Sequence, residues 1–169
     1  MLRSRLFARL VLAGALLAPA LAWAAPTIIY VARHAEKTAE AKDPELTAQG
    51  QARANTLARM LGKTGIAAIF STPTRRTLQT AQPLAAQSGL AVQTYDAAKP
   101  GAMIDQVKAL TGPVLVVGHS NTVPELVKLL GGAAGAPIAD DEFDRLYQLI
   151  VAADGSVTTV LLISVAAPL

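Results

Sequence analysis

Short apolar runs alternate with stretches of helical periodicity from Thr27 to Leu130, and few folds admit that alternation. Ile28, Ile29, Tyr30 and Val31 are β-branched or aromatic, and Val114-Leu115-Val116-Val117 is apolar throughout. Strands of this kind are buried, as in a sheet covered by helices. Lys37 to Glu45 is polar and contains Pro44, so it reads as a loop. Leu46-Thr47-Ala48-Gln49-Gly50 opens a helix to about Leu61, because Ala54, Leu57, Ala58 and Leu61 share one face and Gly62 follows as a stop. Ile66 to Phe70 predicts a second strand, and Ser71-Thr72-Pro73 a second helix that Ser88-Gly89 ends. Leu90 to Tyr95 predicts a third strand, Met103 to Leu110 a third helix, Val114 to Gly118 a fourth strand, and Val123 to Leu130 a fourth helix. Leu146 to Ala152 and Val157 to Val165, joined at Asp154-Gly155, read as a hairpin. The expected fold is α/β: a three-layer sandwich with a mixed, mostly parallel sheet flanked by helices and ending in a β-hairpin.

The first 24 residues stand apart from this pattern. Arg3, Arg5 and Arg9 precede an apolar run from Leu10 to Leu21, and Ala22-Trp23-Ala24 supplies the small residues of a cleavage site. That is the three-part form of a secretory signal peptide, with cleavage expected after Ala24 and a periplasmic or secreted product. The other reading, an uncleaved anchor, is weakened by Pro19 and by a run shorter than the roughly 20 residues that span a bilayer. The chain has 15 basic and 12 acidic residues, and removing the three leader arginines leaves 12 of each. The basic character therefore belongs to the leader and gives no support to nucleic-acid binding. Residues 25–169 suit a single domain. There is no cysteine, which excludes a cysteine-linked lipid anchor, disulfide stabilisation and thiol redox chemistry.

Three places carry chemistry, each at the carboxyl end of an expected strand, where open α/β sheets bind ligands. The first is Arg33-His34. The second is Ser71 to Ala81, with Arg75 and Arg76 in the first turn of a helix. Cations are unfavourable there by a few tenths of a kcal/mol, so at least one is expected to serve a bound anion. The third is Gly118-His119-Ser120-Asn121-Thr122. Taken singly, each has a structural explanation: Arg33 a surface cation, Arg75 and Arg76 a solvated helix turn, Asn121 a helix N-cap. Together they place both histidines of the chain and three arginines along one sheet edge. Bidentate guanidinium forks match phosphoryl oxygens, and a neutral imidazole is a nucleophile. Two histidines with Glu36 as a third ligand could be imagined around a metal ion, but the flanking arginine disfavours a cation.

These segments resemble the histidine phosphatase (phosphoglycerate mutase-like) superfamily. Val31-Ala32-Arg33-His34-Ala35-Glu36 is similar to its R-H-G signature, with Ala in place of Gly. Ser71 to Ala81 is similar to the second motif and Gly118-His119-Ser120 to the third, while Leu46-Thr47 with Gly50 resembles the segment after the nucleophile loop. The short chain looks like the small bacterial phosphohistidine phosphatases, which lack the inserted lids of the mutases. The resemblance implies a phosphoglycerate mutase-like fold and attack by His34 on phosphorus to form a phosphohistidine. It also implies that Arg33, Arg76 and His119 hold the phosphoryl oxygens, with no metal or other cofactor. Its partners would be small phosphorylated substrates or a phosphoprotein, with no nucleic acid and no stable membrane insertion once the leader is gone. Mutase activity is not expected, because a chain without lids cannot readily exclude water.

Larger relatives use a carboxylate between the second and third motifs as proton donor for the leaving group. Asp96 is the best-placed candidate here, with a turn role as its competing explanation, and Glu36 is the alternative. If neither reaches the leaving oxygen, good leaving groups are required. The competing class of function is a non-catalytic phosphate- or phosphopeptide-binding module. The acidic cluster Asp140-Asp141-Glu142-Phe143-Asp144 reads as a solvated turn.

Overall fold

Six strands and four helices follow in the order β1 (Thr27–Arg33), α1 (Ala48–Leu61), β2 (Ala68–Ser71), α2 (Arg75–Ser88), β3 (Val92–Thr94), α3 (Gly101–Ala109), β4 (Val114–Gly118), α4 (Val123–Leu129), β5 (Arg145–Val151) and β6 (Val157–Ile163). The structure is a computed structural model and describes residues 27–40 and 42–165. The expected leader, residues 1–24, and its cleavage site lie outside the described residues. Among the described residues no helix is long and apolar enough to cross a membrane.

The strands form one sheet in the order β3-β2-β4-β1-β5-β6. The first four are mutually parallel, and β5 and β6 continue the sheet antiparallel as the expected hairpin. Strand alternation sends side chains to opposite faces, and each face has its own core. Ile29, Val31, Val114 and Val116 pack with Met103, Ile104 and Val107 of α3 and with Val123, Leu126 and Val127 of α4. Tyr30, Ala32, Leu115 and Val117 pack with Leu57, Ala58 and Leu61 of α1 and with Ala81, Leu84 and Ala85 of α2. This is the three-layer α/β/α sandwich, with the parallel strands β4 and β1 at the centre of the sheet.

Boundaries differ from the sequence expectation where local hydrogen bonds end an element. Leu90 is no part of β3, because Gly89 takes a left-handed conformation (φ 67°) and the Leu90 N–H closes the end of α2 on Ala85 O at 3.1 Å. β6 is assigned to Ile163, although the Ser164 N–H and hydroxyl still bond Asp144 O, at 2.7 and 3.0 Å, one pair beyond Arg145 and Ile163. α1 starts where the Thr47 hydroxyl accepts the Gly50 N–H at 3.1 Å, a regular N-cap.

Gly50 is required by close approach. A Cβ there would overlap the carbonyl oxygen of Glu36, which lies just after β1. Glu36 O also accepts the Thr47 N–H at 2.9 Å, so α1 is seated directly on the loop that follows β1. In an open helical position Gly→Ala is favourable by up to about 1 kcal/mol. Gly50→Ala should instead destabilise the fold by about 1–3 kcal/mol, the cost of overpacking a fixed contact. Urea unfolding monitored by circular dichroism would measure this, and a rise in stability would show that the loop yields freely.

Candidate active site

The register of β1 on β4 places Arg33 level with Gly118, so the residues that follow, His34 and His119, leave the sheet at the same height. The His34 N–H donates to Gly118 O at 2.9 Å and carries the pairing one residue beyond the strand. The two imidazole centroids are 5.5 Å apart at an interplanar angle of 65°. Ser71 ends β2 beside Val117, and the turn Thr72-Pro73-Thr74 then starts α2 with Arg76 in its first turn. The Arg76 guanidinium reaches His119, Nη2 to Nδ1 at 3.3 Å. Thus Arg33, His34, Arg76 and His119 meet at the carboxyl ends of three parallel strands.

Hydrogen bonding assigns both tautomers. His34 Nδ1 faces Ala35 O at 2.8 Å, and a carbonyl can only accept, so Nδ1 carries the proton and Nε2 keeps its lone pair. A guanidinium can only donate, so His119 Nδ1 is the acceptor for Arg76 and its Nε2–H donates to the Thr72 hydroxyl at 3.0 Å. Thr72 is itself linked to the Thr77 hydroxyl at 2.8 Å. His34 is 3% exposed, and burial holds its pKa down to about 3, against its bond to Ala35 O and with help from Arg33, Arg76 and His119. Burial first, then Arg76 and Arg33, lowers that of His119 to about 4. Both imidazoles are therefore neutral near pH 7. Among the described residues, Arg33 Nε and Arg76 Nε are buried without a protein acceptor.

The other expected site residues separate from this cluster. Arg75 is turned to the surface in an ion pair with Glu45, which leaves Arg76 as the arginine facing the histidines. Glu36 does not face them as a free acid: Arg53 of α1 grips its carboxylate, with an Nη2–Oε1 distance of 2.6 Å and Nε distances of 3.1 and 2.9 Å. Burial alone would raise its pKa, but the Arg53 contacts bring it below the ordinary carboxylate value. Asp96 follows β3, three strands from β1, and its Oδ1 accepts the Ala98 N–H at 2.9 Å in a local turn. Asn121 does not cap α4; Thr122 stands at that position, its hydroxyl accepting the His119 N–H at 3.0 Å.

Several contributors escaped sequence reading. The acidic cluster is more than a solvated turn: carbonyls of Ala139, Asp140 and Glu142 accept from Arg33, and Phe143 lies over its guanidinium at 4.1 Å. The Phe143 ring also lies 5.9 Å from that of His34. Asp43, with a left-handed φ of 45°, accepts the Arg75 N–H at 2.9 Å and lies 3.8 Å from Arg76. The Thr80 hydroxyl accepts the Ala35 N–H at 3.0 Å and pins the loop after β1 to α2. Only Thr80 had a visible signal, its place in the second motif.

Residues 29–99 match the family described as the histidine phosphatase superfamily (branch 1), a stretch that includes Arg33, His34 and Arg76. No curated protein matches the chain in sequence. Among solved structures, a mycobacterial glucosyl-3-phosphoglycerate phosphatase with inorganic phosphate superposes with a TM-score of 0.64 at 17% identity, covering 82% of this chain and 97% of that one. The protein histidine phosphatase SixA complexed with tungstate gives 0.64 at 19% identity, covering 81% and 96%. A phosphoserine phosphatase from Entamoeba histolytica, in complex with 3-phosphoglyceric acid, gives 0.62 at 16%, covering 82% and 98%. These likenesses establish the fold as phosphoglycerate mutase-like. With the family match, they bear out the resemblance first read from the three motifs.

The lowered histidine pKa values have a direct spectroscopic consequence. The protein has two histidines, and neither imidazole should titrate between pH 8 and 5 in the nuclear magnetic resonance spectrum of the ligand-free protein. A midpoint near the ordinary value of about 6.5 would contradict the burial argument. Because the unfolded chain binds protons at these imidazoles and the folded one does not, they should lower folding stability as pH falls from about 6.5 toward 4.

Proposed function

We propose that the protein is a metal-independent phosphohydrolase that transfers a terminal phosphoryl group to His34 Nε2 and then to water. The observation that carries this reading is a neutral imidazole with a free Nε2, flanked by two arginines and a second neutral histidine. The tautomer matters most: Ala35 O takes the Nδ1 proton, so no base is needed to prepare the nucleophile. Attack on phosphorus forms the N–P bond as the ester P–O bond breaks. Charge on the equatorial oxygens is met by Arg33 and Arg76, and by His119 once its Nε2–H turns from the Thr72 hydroxyl to the phosphoryl oxygen. Water then cleaves the phosphohistidine and restores neutral His34.

Among the described residues, neither of the two acids expected from the sequence stands free beside the histidines. Glu36 is engaged by Arg53, and Asp96 by the turn at Ala98. The substrate class that fits is therefore one whose leaving group departs with little protonation, such as phosphohistidine or an aryl phosphate. The substrate would be a small phosphoester or a phosphoprotein, and the leader-like sequence of residues 1–24 points to the periplasm or the cell exterior.

Hydrolysis of an aryl phosphate by the purified protein should be abolished by His34→Ala. Arg76→Ala should lower kcat about 10²–10³-fold, roughly 3 kcal/mol of transition-state stabilisation, whereas Arg75→Ala should change it little. Across a series of phosphate esters, rate should fall steeply as the leaving group becomes more basic. Tight phosphate binding without turnover would point instead to a phosphate- or phosphopeptide-binding module. Turnover unaffected by His34→Ala would rule out the mechanism.

A further inference from the structure

We propose that Glu142 and Arg145 are positioning residues that hold Arg33 in its anion-binding pose, an inference that rests on the phosphohydrolase reading above. Arg33 Nη1 donates to Ala139 O at 2.7 Å and to Glu142 O at 2.8 Å, and Nη2 donates to Asp140 O at 2.9 Å. Phe143 covers one face of the same guanidinium at 4.1 Å. With its outer nitrogens held by three carbonyls and one face stacked, the planar group cannot turn, and of its five N–H donors the second on Nη2 and the buried one on Nε have no acceptor among the described residues. A flexible arginine would have to be ordered at every binding event; here the ordering is completed when the chain folds.

The contacts are made by backbone carbonyls, although the segment is acidic. Neutral carbonyls orient the cation without setting a carboxylate against it in competition with the incoming anion. The charges of Asp140, Asp141 and Glu142 nonetheless act on Arg33 from a distance and favour its charged form, against the effect of burial. The segment itself is tied down by a second arginine. Arg145, at the start of β5, donates to Ala136 O at 2.7 Å and to Pro137 O at 3.2 Å, and forks onto the Glu142 carboxylate with an Nη2–Oε2 distance of 2.8 Å. Glu142 Oε2 in turn accepts the Ala139 N–H at 3.2 Å, next to the carbonyl that Arg33 uses. One arginine therefore shapes the loop that aims the other.

Glu142→Gln, on a partly exposed side chain, tests the device with little risk to folding. The inhibition constant of inorganic phosphate and the KM for an aryl phosphate should each rise about tenfold, with little change in melting temperature. Arg145→Lys, which keeps the charge and loses the fork, should act in the same direction. In an Arg33→Ala background, Glu142→Gln should have no further effect on phosphate inhibition, because its influence passes through Arg33. Equal effects in both backgrounds, or no effect in either, would overturn the proposal and leave the phosphohydrolase reading intact. A rise in activity would also overturn it, by showing that the segment obstructs the site. If Arg33→Ala itself leaves phosphate inhibition and turnover unchanged, Arg33 does not bind the anion and both readings fall.

Discussion

The parallel pairing of β1 with β4 is the constraint on which the site depends. Arg33 opposite Gly118 is one rung of that ladder, and the His34 N–H on Gly118 O is the next bond beyond it. A shift of one residue would reverse the faces of Ile29, Val31 and their neighbours and would separate the histidines. The two apolar cores oppose such a shift, since each needs alternate residues of both strands. The pairing of the two histidines is thus enforced by the same burial that stabilises the sheet.

Burial also sets the chemistry. An exposed imidazole would be partly protonated near neutral pH and a poor nucleophile, whereas His34 and His119 are kept neutral by desolvation with two guanidiniums close by. Desolvating Arg33 is offset by three carbonyls and an aromatic face. The Nε–H groups of Arg33 and Arg76 are buried without a protein acceptor among the described residues.

Much of this was readable from local sequence. The apolar strands, the Arg-His and Gly-His steps that end them, and the arginine in the first turn of α2 are neighbours in the chain, and parallel packing alone brings their ends together. Contacts between distant segments could not be read in this way. Arg33 and its carbonyl partners are more than 100 residues apart, and nothing in Asp140-Asp141-Glu142 signals that its backbone, not its side chains, makes the contact. Glu36 looked available because its captor, Arg53, lies 17 residues away on α1. Asp96 matched the expected place for an acid, but a two-residue turn to Ala98 engages it. Thr122, and not Asn121, precedes α4, and its hydroxyl accepts the His119 N–H.

The central claim is that phosphorus is passed to His34. Rapid acid-free denaturation during turnover of an aryl phosphate, followed by peptide mass spectrometry under alkaline conditions, tests it most directly. The account predicts a phosphoryl group on the peptide that contains His34, labile to acid and absent from the His34→Ala protein. Turnover with no phosphorylated peptide, or with phosphate on His119 instead, would contradict it.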